Sequence, residues 1–149
     1  MLSFRSFPVL VALWAAAAGS AAEELAVRNL MIGHGSLCVE VAQSERQMAR
    51  GLMQRKSLPA DAGMLFTFKE PRQVSMWMKD TWISLDAAFV DACGKVVRIA
   101  RMEPLTLSLH DSGEPVMNVI EANAGWFKAH GATAGTIIPE LISPYCRRP

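Results

Sequence analysis

What this chain does without narrows its chemistry. It has no C-x-x-C pair, and its three histidines, His34, His110 and His130, form neither an i, i+4 pair nor an H-E-x-x-H run, so no zinc site is expected. Its glycines stand apart, with no phosphate loop and no dinucleotide fingerprint. Ser108 and Ser112 flank His110 and Asp111, but residues this close in sequence seldom converge and no G-x-S-x-G elbow is present, which disfavours a serine hydrolase. No basic run exists: 15 basic residues face 14 acidic ones, so the electrostatic footprint of a nucleic-acid binder is missing. Internal repeats and low-complexity linkers are absent too.

Beyond the N-terminus there is also no long apolar run, so no membrane span is expected in the rest of the chain. The exception is residues 1–22. One positive charge at Arg5, an apolar stretch from Phe7 to Ala18 and small residues up to Ala22 read as a secretory signal, too short for a comfortable span. The expected product is periplasmic or secreted. Losing Arg5 would leave 14 bases against 14 acids, a near-neutral domain. The organisation expected is a signal at 1–22, an N-terminal extension at 23–36, one globular domain at 37–142 and a tail at 143–149.

In an oxidising compartment three cysteines, Cys38, Cys93 and Cys146, allow one internal disulfide in three pairings. The loop entropies differ by under about 1 kcal/mol and cannot choose among them. Cys146 sits in the tail SPYCRRP, where a bridge would tie the chain end down, and Cys38 equally suits a free small hydrophobe in a strand.

The patterned segments are short. Leu37, Val39 and Val41 alternate with Cys38, Glu40 and Ala42, a half-buried strand after the turn Gly33-His34-Gly35. Ser44 and Gln47 form a capping-box pattern for a helix over 45–50 that stops at Gly51. Strands are expected at 64–68, 74–79, 82–90, 96–101, 116–121 and 136–141. The fourth and third last of these form a hairpin through Asp91–Gly94, and a long loop spans 102–115. Asn123 is expected to cap a second helix, 124–130, ending at Gly131. The fold class is α+β and sheet-dominated: five to seven short strands in a compact mixed or antiparallel sheet, open or closed into a barrel, with two short helices.

The densest polar cluster lies in Gly63–Asp91, where Trp77, Lys79, Asp80, Thr81 and Asp86 sit among methionines, phenylalanines and tryptophans. Unpaired buried charge is costly, so these groups need partners or a purpose. Arg55, Trp77, Lys79, Thr81, Asp86 and Glu121 are the candidate ligand-binding residues, with a wall from Trp77, Trp82 or Trp126. Structural ion pairing is the competing reading of the same charges.

Several ordered blocks, Gly51-Leu52-Met53-Gln54-Arg55, Gly63-Met64-Leu65-Phe66, Trp77-Met78-Lys79-Asp80-Thr81, Leu85-Asp86 and Glu121 to Gly125, resemble the bacterial and archaeal domain of unknown function 192, from about Leu37 to Leu141. The family usually carries asparagine where this chain has Asp80. What the resemblance implies is a small, often exported domain with no established reaction.

The leading functional expectation is a binding or accessory module for a small polar or anionic ligand or an envelope partner, anchored by Lys79 and Arg55. The alternative is a small hydrolase-like acid–base enzyme using Asp86 or Glu121 with Lys79. Copper(I) held by Met76 and Met78 comes third, since alternating methionines read more simply as core. No resident metal or cofactor is expected. Trp126 and Phe127 are read as an apolar patch that would serve a homo-oligomer or partner surface.

Overall fold

A computed structural model describes residues 24–146. The expected signal and its cleavage site lie outside the described residues.

The described residues build nine strands and two short helices: β1 (Ala26–Ile32), β2 (Gly35–Ala42), α1 (Glu45–Arg50), β3 (Ala62–Arg72), β4 (Ser75–Met76), β5 (Leu85–Val90), β6 (Cys93–Met102), β7 (His110–Asp111), β8 (Val116–Asn123), α2 (Trp126–Ala129) and β9 (Ile137–Ile142). Seven of them form one sheet in the order β1-β2-β3-β8-β5-β6-β9, while β4 and β7 pair as a separate ribbon. Only β2 and β3 run parallel; the other pairings are antiparallel. The two edge strands meet through Glu140, whose carboxylate accepts from the Met31 amide at 3.0 Å and whose carbonyl accepts from Arg28 at 3.3 Å. The sheet is therefore a nearly closed barrel.

Two apolar cores follow from strand alternation. One fills the barrel with residues from all seven strands, among them Leu30, Val39, Leu65, Ile120, Ala88, Val96 and Ile138, and is plugged by Trp126 and Phe127 of α2. The other lies outside, on the opposite face of β3, β8, β5 and β6: Met64, Phe66, Val119, Leu85, Ala87, Phe89 and Ala100, roofed by Leu52, Leu58 and Met78. This double coverage buries all six residues of β5. A strand buried on both faces reads as a continuous apolar run, and Asp86 is the one polar interruption in it.

Local signals were followed closely in α1. Ser44 caps it, Gln47 completes the capping box, and Gly51 ends it at φ +48°. Several expectations are corrected. Ala26–Ile32, within the stretch expected as an extension, pairs along its length with β2; only Leu30 and Ile32 of it are buried, too few to leave a pattern. Of 74–79 only Ser75 and Met76 pair, and of 82–90 only Leu85–Val90, because Trp82 to Ser84 turn away from the sheet. The 102–115 loop contains β7.

Asn123 does not cap α2. Its amide donates instead to the carbonyls of Leu58 and Pro59, at 3.2 and 2.9 Å, tying the 58–60 segment to β8. The N-cap is Gly125 at φ +89°, a left-handed conformation that shortens α2 to one turn. Trp126 and Phe127 are 5% and 1% exposed, so the proposed outer patch is core. Cys93 pairs with Cys146 across 53 residues, leaving Cys38 free and exposed on β2. No described helix is long and apolar enough to cross a membrane.

Candidate functional site

Glu121 sits in the middle of β8, hydrogen-bonded on both sides to β3 and β5. In register it faces Met64 and Ala87, so its side chain projects onto the outer core with theirs. The approach of β3 is possible only with glycine at position 63, where a Cβ would lie 2.4 Å from the Glu121 carbonyl oxygen. The roof over Glu121 comes from two segments that α1 and the β4 ribbon bring together. Met48 to Met53, Phe66, Met76, Trp77, Thr81 and Glu121 line a small hollow of about 40 Å³. Met48, Ala49, Phe66, Met76 and Trp77 also line a wider cleft of about 410 Å³, completed by Glu45, Phe68, Arg72 and the 73–75 segment. The two share these five lining residues, so the small hollow, the one of the two that Glu121 lines, adjoins the cleft.

That carboxyl is 4% exposed, and among the described residues it has no hydrogen bond and no ion pair. Burial disfavours the charged form, and with no cation close enough to counter it the pKa rises to about 8. At pH 7 the group is mostly a neutral acid, able both to donate and to accept. Beside it, the hydroxyl of Thr81, itself buried, donates to the Lys79 carbonyl at 3.1 Å.

The turn carrying Thr81 is firmly held. The Asp80 carbonyl accepts from the Gln54 amide at 2.8 Å, the Thr81 carbonyl from Leu105 at 3.0 Å, and the Met78 amide donates to Thr106 at 3.1 Å. The Lys79 ammonium lies 5.7 Å from the centroid of the Trp77 ring, a cation–π contact at the cleft rim. Trp77, which lines both cavities, is 45% exposed.

The other candidates are elsewhere. Arg55 donates both guanidinium arms to Glu40, one of them at 2.8 Å, in a fork-to-fork pair. The hydrogen bond from Arg55 lowers the Glu40 pKa, and Glu40 raises that of Arg55. Glu40, Met64 and Glu121 form one row across β2, β3 and β8, so Arg55 shares the face of Glu121 but stands two strands off, about 10 Å at ordinary strand spacing.

Asp86 is on the opposite face. It is the register partner of Ala122 while its neighbour Ala87 partners Glu121, so the two carboxyls point to opposite sides of one sheet. Asp86 accepts from Arg101 and, at 2.7 Å, from the Gly125 amide, anchoring the turn into α2; the hydrogen bond to Asp86 raises the Arg101 pKa. The expected four-residue convergence of Lys79, Asp86, Arg55 and Glu121 does not form. Trp77, Thr81 and Glu121 meet, Lys79 adjoins them through Trp77, and Arg55 and Asp86 are held in ion pairs.

Met78 is fully buried, while Met76, packed against the same core, lines the cleft. Among the described residues no group of three or more histidine, cysteine, aspartate or glutamate side chains could hold a metal ion. Trp82 is exposed, and buried Trp126 donates its indole N–H at 2.9 Å to the exposed Asp61, away from the Glu121 hollow, which leaves Trp77 as the wall. Sequence reasoning missed Phe66, Met48 and Met53 as lining residues. The signal for the last two was their placement on either side of Gly51, where a chain reversal turns both toward the sheet.

The family model of DUF192, described as "Uncharacterized ACR", matches residues 29–139. No curated protein matches significantly. A crystal structure from Sinorhizobium meliloti 1021, named a "putative transcription regulator", is 37% identical over 77% of this chain and 94% of its own, with a TM-score of 0.72. Another, a protein of unknown function from Novosphingobium aromaticivorans DSM 12444, is 27% identical over 76% of this chain and 84% of its own, with a TM-score of 0.69.

Proposed function

We propose that this chain, which belongs to the DUF192 family, is an exported binding module whose cleft takes a small ligand with an apolar body and a hydrogen-bonding end. The observation that carries this reading is the unpartnered, buried carboxyl of Glu121 in a small hollow that adjoins a cleft, the two sharing the walls Phe66, Met76 and Trp77. A folded protein normally satisfies its buried polar groups, so one left open to a hollow is best explained by what enters it. A cleft of about 410 Å³ falls within the range of small-molecule sites. Export is supported by the leader-like residues 1–22 and by the Cys93–Cys146 disulfide, a bond that persists in oxidising compartments.

The anionic version of the ligand finds less support than the polar one. Arg55 is neutralised by Glu40, Lys79 is at the rim, and the inner group is an acid. The acid–base enzyme reading keeps only Glu121, whose pKa near 8 suits proton transfer, but Asp86 behind the sheet and Lys79 on Trp77 give it no second group. The regulator name of the Sinorhizobium protein brings no support for nucleic-acid binding here, because this chain has 15 basic and 14 acidic residues and no basic run.

The test is a fragment screen by amide and methyl NMR on residues 24–149, run in parallel with Met76→Arg, which fills the cleft mouth. Fragments that shift Phe66, Met76 and Thr81 in the parent but not in the variant support the reading. A screen in which no fragment perturbs these residues, or in which both proteins respond alike, overturns it.

A further inference from the structure

Among the described residues no cation pairs with Glu121. Arg55 is bound to Glu40, Arg101 to Asp86 behind the sheet, Lys79 rests on Trp77, and Arg72, which lines the wider cleft, lies over Phe68. Arg50 lines the hollow, but it is exposed at the end of α1 and makes no ion pair with Glu121, and burial alone accounts for the state of the Glu121 carboxyl. The acid in the hollow is therefore short of a positive partner that its own chain does not provide. Its surroundings favour a cation in two further ways. Phe66 and Trp77 offer aromatic faces, and Met48, Met53 and Met76 offer polarisable thioethers. Met48 to Gly51 are also the last turn and cap of α1, the end where carbonyl oxygens outnumber their donors and the helix dipole is negative. The Trp77 indole already receives one ammonium, that of Lys79.

We infer that the cleft takes an organic cation, a protonated amine on an apolar body, with its ammonium against the Glu121 carboxylate and its body against Trp77, Phe66 and the methionines. The inference rests on the binding-module reading and gives its ligand a class. A neutral alcohol of the same shape would meet the same walls but leave the carboxyl without a counter-charge, and an anion would be repelled by it. Charge-assisted hydrogen bonds are about twice as strong as neutral ones, which sets the direction of selectivity.

The proton balance is explicit. Below pH 8 the empty site holds Glu121 mostly protonated; the bound amine holds it ionised, so binding releases one proton to solvent. The ionisable groups on the surrounding elements are Glu45, Arg46 and Arg50 on α1, the Glu40–Arg55 pair, Lys69, Glu70 and Arg72 on β3, Lys79 and Asp80 on the turn, and Asp86 behind the sheet; none of them hydrogen-bonds to Glu121.

The probes are 2-phenylethylamine and 2-phenylethanol, compared by NMR titration and by calorimetry in two buffers of different ionisation enthalpy. The amine is expected to bind at least about tenfold more tightly than the alcohol, with affinity rising about tenfold per pH unit from 6 toward 8 and up to one proton released. Glu121→Gln, which keeps the shape, is expected to abolish the preference. An alcohol that binds as well as the amine, an amine affinity indifferent to pH with no proton released, or a folded Glu121→Gln that keeps the preference overturns the inference. If neither probe binds, the amine class also falls, and the fragment screen decides whether the cleft reading falls with it.

Discussion

Asp86 and Glu121 are separated by one register step on neighbouring strands, and both are about 95% buried, yet their surroundings differ completely. On the barrel-interior face of β5, Asp86 is met by a guanidinium and a backbone amide and holds the turn into α2 in place. On the outer face of β8, Glu121 faces an apolar core and a hollow shared with Thr81 and Arg50, neither of which bonds to its carboxyl. The difference shows how to tell a structural charge from a candidate site charge. Burial alone does not distinguish them; what matters is whether the fold supplies the counter-group. Charges left without one are normally eliminated by a shifted pKa or kept for a ligand.

The largest expected effect sharpens this contrast through pH. Glu121 has a folded pKa of about 8 against an ordinary value of 4.5. Between these values the native state keeps a proton that the unfolded state has lost, so its contribution to stability is full below pH 4.5 and declines as pH rises toward 8. The slope is about 1.4 kcal/mol per pH unit, several kcal/mol over the window. Urea unfolding of the parent and Glu121→Gln at pH 5, 6.5 and 8 should give curves that diverge, the variant losing less stability as pH rises. Parallel curves would mean that Glu121 is not the isolated acid described.

Next in size is the paired member. Asp86→Ala leaves the Gly125 amide without its acceptor inside the protein, while Arg101, exposed, returns to water. The expected loss is about 2 kcal/mol, most of it from the orphaned donor and the vacated space. Asp86→Asn, which keeps an acceptor, should lose less. Ligand binding by folded Asp86→Ala should match the parent, since Asp86 is behind the sheet. A binding defect as large as that of Glu121→Gln would break the division between the two faces.

Much of the framework could be read locally. Ser44, Gln47 and Gly51 define α1 because capping chemistry is confined to a few residues, and the alternation of Leu37, Val39 and Val41 survives because β2 is half-buried. What failed was non-local. Whether Asp86 and Glu121 share a face depends on the pairing of Ala87 with Glu121, 34 residues away, which neither strand's own pattern encodes. A one-residue slip would have placed them together. Arg55 was expected to join Glu121, but its carboxylate partner is Glu40 on β2, and only the parallel β2–β3 pairing sets Glu40 two strands from Glu121. Asn123 does not act as a cap because its amide is bonded to carbonyls of the 58–60 segment, 63 to 65 residues away. The same limit applied to the cleft: each lining residue was visible, but not their adjacency.

The smallest expected effect concerns a third carboxyl. Glu40 lies in the same row as Glu121, two strands away, but its side chain and that of Arg55 are each about one-third exposed. It thus differs from Glu121 in having a partner and from Asp86 in having water. Screening and side-chain entropy hold such a pair to at most about 1 kcal/mol, even with fork-to-fork geometry. Because Arg55 lowers the Glu40 pKa, this contribution is present above the ordinary glutamate range and lost as pH falls through the folded value, the opposite sign to Glu121. A double-mutant cycle of Glu40→Gln and Arg55→Met at pH 7 should return a coupling below about 1 kcal/mol that shrinks further in high salt. A coupling several times larger would show that the row from β2 to β8 is drier than its exposure indicates, and would move Arg55 from a surface pair to an electrostatic wall of the cleft.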